Sequence, residues 1–302
     1  MTRPSRIEIV EVGPRDGLQN ESVHLPPAER IKLIAQLAQA GLHHIEAGSF
    51  VSPRWVPQMS GSDEIIEAFA GRDDLRLPVL VPNLKGYERA RAAGAKEIAV
   101  FGAASESFSK KNINCSISES LGRFAEVCTH AIADGVYIRG YISCVLGCPY
   151  EGEVNSAQVA AIARDLVAMG CSEISLGDTI GVGTADKARM LVDACASEIG
   201  IEKIAVHFHD TYGQALANIL ACIELGVTVV DSAVGGLGGC PYAKGSAGNV
   251  ATEDVVYLLE GLDIESGVDL DALIDITEAL STRLGHPPAS RVARARLAKR
   301  QN

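Results

Sequence analysis

The feature that most constrains the fold is a regular alternation of short apolar segments with amphipathic helical segments along most of the chain. Several helical segments end in a glycine just before the next apolar segment, where helices commonly stop. Strands are predicted at Ile7–Val12, His44–Ala47, Arg76–Val81, Glu97–Phe101, Tyr137–Ser143, Glu173–Asp178, Lys203–His207 and Val229–Ala233. Helical periodicity predicts helices at Ile31–Ala40, Gly86–Ala93, Ser118–Asp134, Ala157–Ala168, Ala185–Ile199 and Ala215–Leu225, with a short one near Asp63–Ala70. Such alternation requires parallel strands joined by crossover helices.

Eight strand–helix units suit a closed (β/α)₈ barrel, the TIM barrel, and a doubly wound open sheet is the competing α/β fold. Polar residues recur where predicted strands end, at Arg15, Asp16, Glu46, Ser143, Asp178, His207 and His209. In a barrel these strand ends meet around one axis, whereas an open sheet spreads them along a crevice. We therefore predict one barrel domain over residues 1–302. The barrel occupies about residues 7–262, and a C-terminal helical extension of about residues 263–302 packs on it or on a second subunit.

Composition excludes several classes of function. The formal net charge of -11 argues against non-specific nucleic-acid binding, which relies on Lys and Arg to neutralise phosphates. No apolar run approaches the roughly 20 residues that span a bilayer. A predicted strand begins at Ile7, which leaves no room before it for the hydrophobic segment of a secretion signal. The eight cysteines form no Cys-x-x-Cys pair. We expect a cytoplasmic protein with no membrane or nucleic-acid partner, most of whose thiols are buried and free.

His207 and His209 lie two residues apart at the end of a predicted strand. Alternate residues of a strand point to the same face, so both imidazoles are aimed into one space. Two imidazoles on one face are suited to bind a divalent cation. An isolated His-x-His is more often a pair of hydrogen-bonded strand histidines, and the pattern by itself leaves that alternative open.

A glycine-rich segment, Gly235–Asn249, follows the eighth predicted strand and precedes a helix expected from about Thr252. So many glycines indicate either a mobile loop or a close approach of the backbone to a ligand. We interpret the segment as a lid over the cation site. A linker is the alternative, but Cys240 and Asn249 are chemically active residues for a linker.

The segment Glu11-Val12-Gly13-Pro14-Arg15-Asp16-Gly17-Leu18-Gln19-Asn20-Glu21 resembles the first-strand signature of a superfamily of lyases, synthases and aldolases that act on a metal-bearing barrel. Within that superfamily the chain is similar to the 3-hydroxy-3-methylglutaryl-CoA lyase family, from about Ile7 to Gly267. The similar motifs are Ser49–Met59, Gly147–Gly152, Ser175–Gly181 and Gly238–Ala243. Several motifs in the right order are much more specific than any one of them.

The resemblance implies cleavage of 3-hydroxy-3-methylglutaryl-CoA to acetyl-CoA and acetoacetate, as in leucine degradation and ketone-body formation. It also implies a homodimer and a cation held by Asp16, His207, His209 and Asn249. Imidazole, carboxylate and amide ligands suit Mg²⁺ or Mn²⁺, and they differ from the thiolates of a closed structural zinc site.

The resemblance further assigns catalytic roles. Arg15 is expected to stabilise the thioester oxygen, and Cys240 to protonate the acetyl-CoA carbanion or belong to the relay that does so. Glu46 is expected to be a catalytic carboxylate, and Asp178 a site residue that tunes His207 or His209. Glu11 and Glu253 are expected to support the site. The group that removes the hydroxyl proton stays open between Asp16 and a metal-bound water.

Coenzyme A is polyanionic, so an acidic protein needs local cations to bind it. The segment Ser109-Lys110-Lys111-Asn112 follows the fourth predicted strand and is our candidate, although two adjacent lysines are also typical of a solvated loop. Better-known family members tend to carry lysine where this chain has Ser22, which leaves part of the CoA contact in doubt.

Three other functions are weighed against this one. A condensing synthase of the same superfamily would usually be longer and would carry Gly-Glu-Arg where this chain has Gly-Cys-Pro-Tyr. A non-catalytic binding protein would be expected to have lost some of the ligands, and none is lost. A lyase for a longer-branched 3-hydroxyglutaryl-CoA stays possible.

Overall fold

The computed structural model describes residues 3–239 and 248–300. It contains a parallel sheet curled into a TIM barrel with helices outside, as predicted. The strands are β1 (Glu8–Glu11), β2 (His44–Ile45), β3 (Gly48–Ser49), β4 (Val79–Leu80), β5 (Glu97–Ala103), β6 (Tyr137–Ser143), β7 (Glu173–Asp178), β8 (Ile204–Phe208) and β9 (Val229–Ser232). The α-helices are α1 (Pro27–Gln39), α2 (Ser62–Ala68), α3 (Leu84–Ala92), α4 (Glu106–Ile113), α5 (Ile117–Ala133), α6 (Ser156–Ala168), α7 (Ala185–Ile199), α8 (Ala215–Leu225), α9 (Thr252–Gly261), α10 (Leu270–Leu284) and α11 (Arg291–Arg300).

The second predicted strand closes the barrel in a way that the sequence did not indicate. It is divided into β2, which pairs with β1, and β3, which pairs with β4. Between them, the amide of Glu46 donates to the carbonyl of Glu11 at 2.9 Å, and the amide of Ala47 donates to the carbonyl of Pro78 at 3.0 Å. The segment therefore leaves β1 after Ile45 and joins β4 at Gly48, which connects the two ends of the strand order.

The barrel strands are largely buried, and their side chains include charged and polar groups as well as apolar ones. All five residues of β8 and all six of β7 are buried, as is typical of strands covered on both faces. Each fully buried aliphatic side chain contributes about 1.5–3 kcal/mol. Charged side chains inside this interior, such as Arg139 on β6 and Asp231 on β9, therefore need partners within the protein.

Helix α4 was not among the helices predicted from the sequence. Lys110 and Lys111, for which a solvated loop was the alternative to a CoA contact, lie in the last turn of this helix. The side chain of Ser105 caps its first turn by accepting a hydrogen bond from the amide of Phe108 at 3.2 Å, and Asn114 ends it in the left-handed conformation at φ 52°. The segment is too short for its helical periodicity to stand out beside the strand before it.

The C-terminal helices pack on the barrel. Helices α10 and α11 contact α9, and α10 also contacts the turn Val234–Gly236 that follows β9. The carboxylate of Asp254 accepts hydrogen bonds from the Ser290 hydroxyl at 2.7 Å and from the Val292 amide at 2.9 Å, which ties the start of α11 to α9. None of the helices in the described part of the chain is long and apolar enough to cross a bilayer.

Candidate active site

The turn after β1 carries Arg15 and Asp16. Residues Gly13–Gly17 form one π-helical turn directly after the strand. The amide of Gly13 donates to Oε1 of Glu11 at 2.8 Å, and a Cβ at this glycine would lie 2.5 Å from the same oxygen. No larger residue fits there, so the glycine allows the backbone to turn sharply and carry both side chains to the carboxyl end of the barrel.

Asp16, His207 and His209 come together at this end. One possible ligand atom from each lies within 4.8 Å of the other two. Nε2 of His207 is 3.9 Å from Oδ2 of Asp16, and Nδ1 of His209 is buried with no hydrogen-bond partner among the described residues. A buried polar atom without a partner is costly, and a cation would satisfy it. The donor set and this nitrogen both fit a divalent cation.

Asn249 is brought beside the same group by the chain that returns after the glycine-rich segment. It forms an antiparallel bridge with His209. Its Nδ2 donates to Oδ2 of Asp16 at 2.9 Å and to the carbonyl of Leu237 at 3.1 Å. Gly238, at φ +117°, leaves room for it, since a Cβ there would lie 2.7 Å from Nδ2. The contact with Asp16 is thus made by the amide nitrogen and not by the oxygen that would bind a cation.

Arg15 connects two carboxylates. Its Nη1 donates to Oδ1 of Asp16 at 2.7 Å, and its Nη2 lies 2.7 Å from Oε2 of Glu46. Burial alone would raise the pKa of Asp16, but the charges of Arg15 and His207 lower this pKa to about 2. Burial raises the pKa of Glu46 despite the adjacent guanidinium. Asp16 is therefore ionised at neutral pH, and Arg15 is held in one orientation.

The two histidines differ in their environments. Burial, together with the neighbouring His207, lowers the pKa of His209 to about 4. Burial also acts to lower the pKa of His207, but Asp231, 3.2 Å from its Nδ1, outweighs this effect and raises it. His209 is consequently neutral at physiological pH, the state in which imidazole binds cations.

The side chain of Asp178 forms hydrogen bonds with the loop that follows β7 and not with the ring of His207 or His209. Its carboxylate accepts hydrogen bonds from the amides of Val182 at 3.2 Å and Gly183 at 2.8 Å. Its backbone carbonyl accepts from the amide of His209 at 3.3 Å. Burial raises its pKa to about 6 against these hydrogen bonds. Any influence on the histidines through this residue is therefore exerted mainly by its main chain.

Glu11 and Glu253 hold the turn Val234–Gly236, from which the glycine-rich segment starts. Oε1 of Glu11 accepts from the amide of Val234, and Oε1 of Glu253 accepts from the amide of Gly235, each at 2.9 Å. Burial raises the pKa of each carboxyl to about 7. Both contacts are consistent with the supporting role expected of the two residues.

A cavity of about 750 Å³ opens over the Asp16–His207–His209 group. Its lining includes Arg15, Trp55, Lys111, Asn112, Arg123 and Tyr141. Nζ of Lys111 lies 4.2 Å from the centre of the Tyr150 ring. Lys110, although adjacent in sequence, is not among the described residues that line the cavity. Of the three residues proposed for CoA, Lys111 and Asn112 therefore face the cavity.

Cys240 and the predicted lid at residues 240–247 lie outside the described residues. Gly239, the last described residue before them, lines the cavity. Its carbonyl accepts a hydrogen bond from Nδ2 of Asn20 at 3.2 Å.

The sequence analysis did not identify a buried polar cluster beneath the histidines. Its members are Arg139, Tyr141, Ser175 and Asp231, all buried inside the barrel. A signal was present, because Arg139 and Asp231 are opposite charges in the middle of two otherwise apolar strands. Their pairing depends on which strand faces which across the barrel, and the sequence alone does not give that distance.

Comparison with known proteins identifies the family. The HMGL-like family model matches residues 6–280. The chain is 57% identical to the 3-hydroxy-3-isohexenylglutaryl-CoA/hydroxy-methylglutaryl-CoA lyase of Pseudomonas aeruginosa, over 99% of this chain and 100% of that protein. It is 54% identical to the mitochondrial hydroxymethylglutaryl-CoA lyase of Gallus gallus, over 97% of this chain and 98% of that protein.

Comparison with solved structures identifies the same family. The crystal structure of hydroxymethylglutaryl-CoA lyase from Pseudomonas aeruginosa matches with a TM-score of 0.96, covering 99% of this chain and 100% of that one. An HMG-CoA lyase from Acinetobacter baumannii in complex with coenzyme A and 3-methylmalate matches with a TM-score of 0.92 at 36% identity, covering 98% and 97%. The chain therefore belongs to the HMGL-like family, among the hydroxymethylglutaryl-CoA lyases, which are carbon–carbon lyases.

Proposed function

We propose that this protein cleaves 3-hydroxy-3-methylglutaryl-CoA to acetyl-CoA and acetoacetate with the help of a divalent cation, Mg²⁺ or Mn²⁺. The observation that carries the proposal is the convergence of Asp16, His207 and His209 beneath a cavity with Arg15 in its wall. The reaction breaks the C2–C3 bond. The C3 hydroxyl gives its proton to a base, for which Asp16 and a water are the two candidates, and becomes a ketone, while the electron pair of the broken bond passes into the thioester as an enolate.

Asp16, His207 and His209, with Asn249 as a fourth candidate, would hold the cation. When bound, it acidifies the substrate hydroxyl and orients it, an effect of several kcal/mol for a Lewis acid. The fit of Asn249 requires its amide oxygen to face the site. Its two amide atoms have nearly the same shape, so a half-turn of the amide provides that oxygen without moving the backbone.

Arg15 is the group that we assign to the developing negative charge. Its guanidinium is always protonated, lies in the cavity wall and is held between Asp16 and Glu46. A donor that is fixed before the reaction needs no reorganisation when charge appears on the thioester oxygen. In this proposal Glu46 acts on the reaction by holding Arg15 in place.

The enolate must be protonated to give acetyl-CoA, and we assign that step to Cys240 as donor or as part of a relay. A thiol with a pKa near the usual value of about 8.5 can give and recover a proton at cellular pH. The assignment comes from the family resemblance, and Gly239, the last described residue before Cys240 in the sequence, lines the cavity.

Lys111 and Asn112 are proposed to contact the coenzyme A part of the substrate. Both are exposed residues of the cavity lining, and Lys111 supplies the positive charge that an acidic protein needs for a polyanionic ligand. The neighbouring Lys110 is not assigned a contact. The leucine-degradation role and the homodimer extend the proposal from family resemblance alone, and the proposed cytoplasmic location comes from the sequence features given above.

A longer-branched 3-hydroxyglutaryl-CoA is a second candidate substrate. The Pseudomonas aeruginosa relative is named for the 3-hydroxy-3-isohexenyl substrate as well as for the methyl one. The cavity also has apolar walls, contributed among others by Val51, Leu80 and Phe101. The isohexenyl group is several carbons larger than methyl, and each methylene is worth about 1–3 kcal/mol in a hydrophobic pocket, so turnover of this substrate would require the apolar walls to accommodate the longer chain.

The test is an assay of acetyl-CoA release from each of these two acyl-CoA substrates, with the protein first stripped of metal and then supplied with Mg²⁺ or Mn²⁺. We expect turnover of the methyl substrate only when a cation is present. Full activity in a verified metal-free sample would refute the metal requirement. Turnover of the isohexenyl substrate alone would replace the first candidate with the second.

A further inference from the structure

The strand register places Asp231 against His207 inside the barrel. The two residues are paired partners on the adjacent parallel strands β9 and β8. Oδ2 of Asp231 is 3.2 Å from Nδ1 of His207, and both side chains are largely buried. The other ring nitrogen, Nε2, faces Asp16 at 3.9 Å. One carboxylate therefore lies on each side of the imidazole.

The partners of Asp231 restrict what its carboxylate can do. Nη2 of Arg139 donates to Oδ1 at 2.6 Å, and Nη1 donates to Oδ2 at 3.0 Å. The Ser175 hydroxyl donates to Oδ2 at 2.8 Å. A carboxylate in a two-pronged pair with an arginine only accepts hydrogen bonds. Nδ1 of His207 must therefore be the donor in its contact with Asp231.

Arg139 is itself fixed from a second direction. Its Nε donates to Oε1 of Glu173 at 2.6 Å, and these two residues are paired partners on β6 and β7. The guanidinium thus lies between two carboxylates and has no freedom to swing away from Asp231. The orientation of His207 is determined through Asp231 and Arg139, which touch neither the cavity nor Asp16.

We propose that Asp231, held by Arg139, is a positioning residue for the cation site: it accepts a hydrogen bond from Nδ1–H of His207 and thereby leaves the lone pair of Nε2 facing Asp16. A neutral imidazole has one N–H and one lone pair, so fixing the first fixes the second. The inference rests on the proposed metal-dependent function. It adds a group that determines whether His207 presents a lone pair or an N–H to the ion.

The first test measures Mn²⁺ binding to the whole protein, without substrate, by the electron paramagnetic resonance signal of free Mn²⁺. In Asp231→Asn an amide replaces the acceptor-only carboxylate. The amide has one oxygen and one NH₂ group, and the NH₂ group must face either Arg139 or His207. The side chain can then no longer accept hydrogen bonds from both residues. Groups that orient a metal-binding histidine typically contribute 10- to 100-fold in affinity, and we expect a weakening of about that size. Unchanged Mn²⁺ affinity in a folded Asp231→Asn protein overturns the proposal.

The matched control is Ser175→Ala. It removes a different donor to the same Oδ2 atom in the same buried cluster, and it leaves the pairing of Asp231 with His207 intact. We expect its Mn²⁺ affinity to stay within about threefold of the wild type, a change well below the 10-fold lower limit for an orienting group. An equal loss in both variants would mean that any disturbance of the cluster weakens binding, and the specific role would be wrong.

A second measurement needs no variant of Asp231 and therefore decides the matter if Asp231→Asn does not fold. Nitrogen-15 NMR of the Mg²⁺-loaded wild type, labelled at histidine, distinguishes the two ring tautomers. His207 should carry its proton on Nδ1, and its signals are assigned by their absence in His207→Gln. A proton on Nε2 overturns the proposal. Neither measurement uses substrate, so a negative result here is distinct from a failure of the proposed lyase activity.

Discussion

The two ends of the barrel carry similar charged residues in opposite arrangements. At the amino-terminal end, His44 lies 2.9 Å from Glu8, and Arg76 lies 3.1 Å from Glu8 and 2.7 Å from Glu97. Each carboxylate there has cationic partners. At the carboxyl-terminal end, Nδ1 of His209 has no hydrogen-bond partner among the described residues. Nε2 of His44 lies 3.4 Å from Oε1 of Glu97, so both ring nitrogens of His44 have a carboxylate nearby, whereas the second arrangement leaves a position for a ligand.

The pKa values of the glutamates at the two ends are shifted in opposite directions, while the pKa of Asp16 at the carboxyl-terminal end is lowered. The hydrogen bond from His44 is the main cause that lowers the pKa of Glu8. Burial alone would raise the pKa of Glu97, but His44 and Arg76 lower it. At the other end burial raises the pKa of Glu11 and of Glu46. A buried ionisable group does not by itself mark a functional site. The candidate site is distinguished by buried groups whose charge or hydrogen-bonding capacity is not fully matched by neighbouring residues.

Replacing His209 at the carboxyl-terminal end and His44 at the amino-terminal end should produce the largest difference between the two ends. His209→Ala should reduce lyase turnover by about 10³- to 10⁴-fold, since a Lewis acid contributes several kcal/mol to catalysis. Mn²⁺ affinity should fall with it. His44→Ala should leave turnover within about twofold but lower the free energy of unfolding by about 1–3 kcal/mol, because Glu8 and Glu97 lose a buried hydrogen-bonding partner.

Steady-state kinetics and urea unfolding of both variants provide the measurements. If His44→Ala lost turnover while retaining stability, the amino-terminal end would have a catalytic role and the distinction between the two ends would be wrong.

Cys240→Ser should come next in size. Serine is nearly isosteric, so fold and Mn²⁺ affinity should be retained. Turnover should fall by about 10²- to 10⁴-fold, because a hydroxyl is a much weaker acid than a thiol. Thiol alkylation should also inactivate the wild type, and substrate should slow that loss. The same reagent applied to Cys240→Ser provides the control, because further loss there would implicate one of the buried cysteines. Wild-type turnover by Cys240→Ser, with the chemical step limiting, would exclude the proton-donor role.

Lys111→Ala should have a smaller effect, expressed in KM. The side chain lines the cavity, and removing one partly solvated contact to a phosphate should raise KM by about 3- to 10-fold with little change in kcat. Lys110→Ala removes the same charge from the same helix, away from the cavity, and should leave KM unchanged. Equal increases in both variants would indicate long-range attraction of the substrate rather than a direct contact.

The last expected effect concerns the pH dependence of stability and not turnover. The folded protein binds a proton on Glu253 more tightly than the unfolded chain does, because burial raises this pKa from 4.5 to about 7. The protonated carboxyl of Glu253 contributes its full stabilisation below the pKa of the unfolded chain, 4.5. This stabilisation, at most about 3 kcal/mol, is lost as the pH rises through the pKa of the folded protein, about 7. In Glu253→Gln, urea midpoints at about pH 5.5 and about pH 8 should therefore differ less than in the wild type. An unchanged difference would contradict the raised pKa.

The sequence by itself determined the barrel and most of the cation site. The period of apolar residues predicted α7 and α8 with their observed bounds, because helix formation depends mainly on neighbours three and four residues apart. The spacing of His207 and His209 was sufficient to aim both rings into one space, since alternation along a strand is a local property. Asp16 joined them because all strand ends of a barrel converge.

Only the tertiary structure decided which groups surround those ligands. The contact of Asp231 with His207, the division of the second strand into β2 and β3, and the side of α4 on which Lys111 faces the cavity all depend on strand register and packing. A shift of one residue in register would turn Asp231 to the other face of its strand. Distances between segments far apart in the chain are fixed by the closed barrel, and no local pattern in the sequence encodes them.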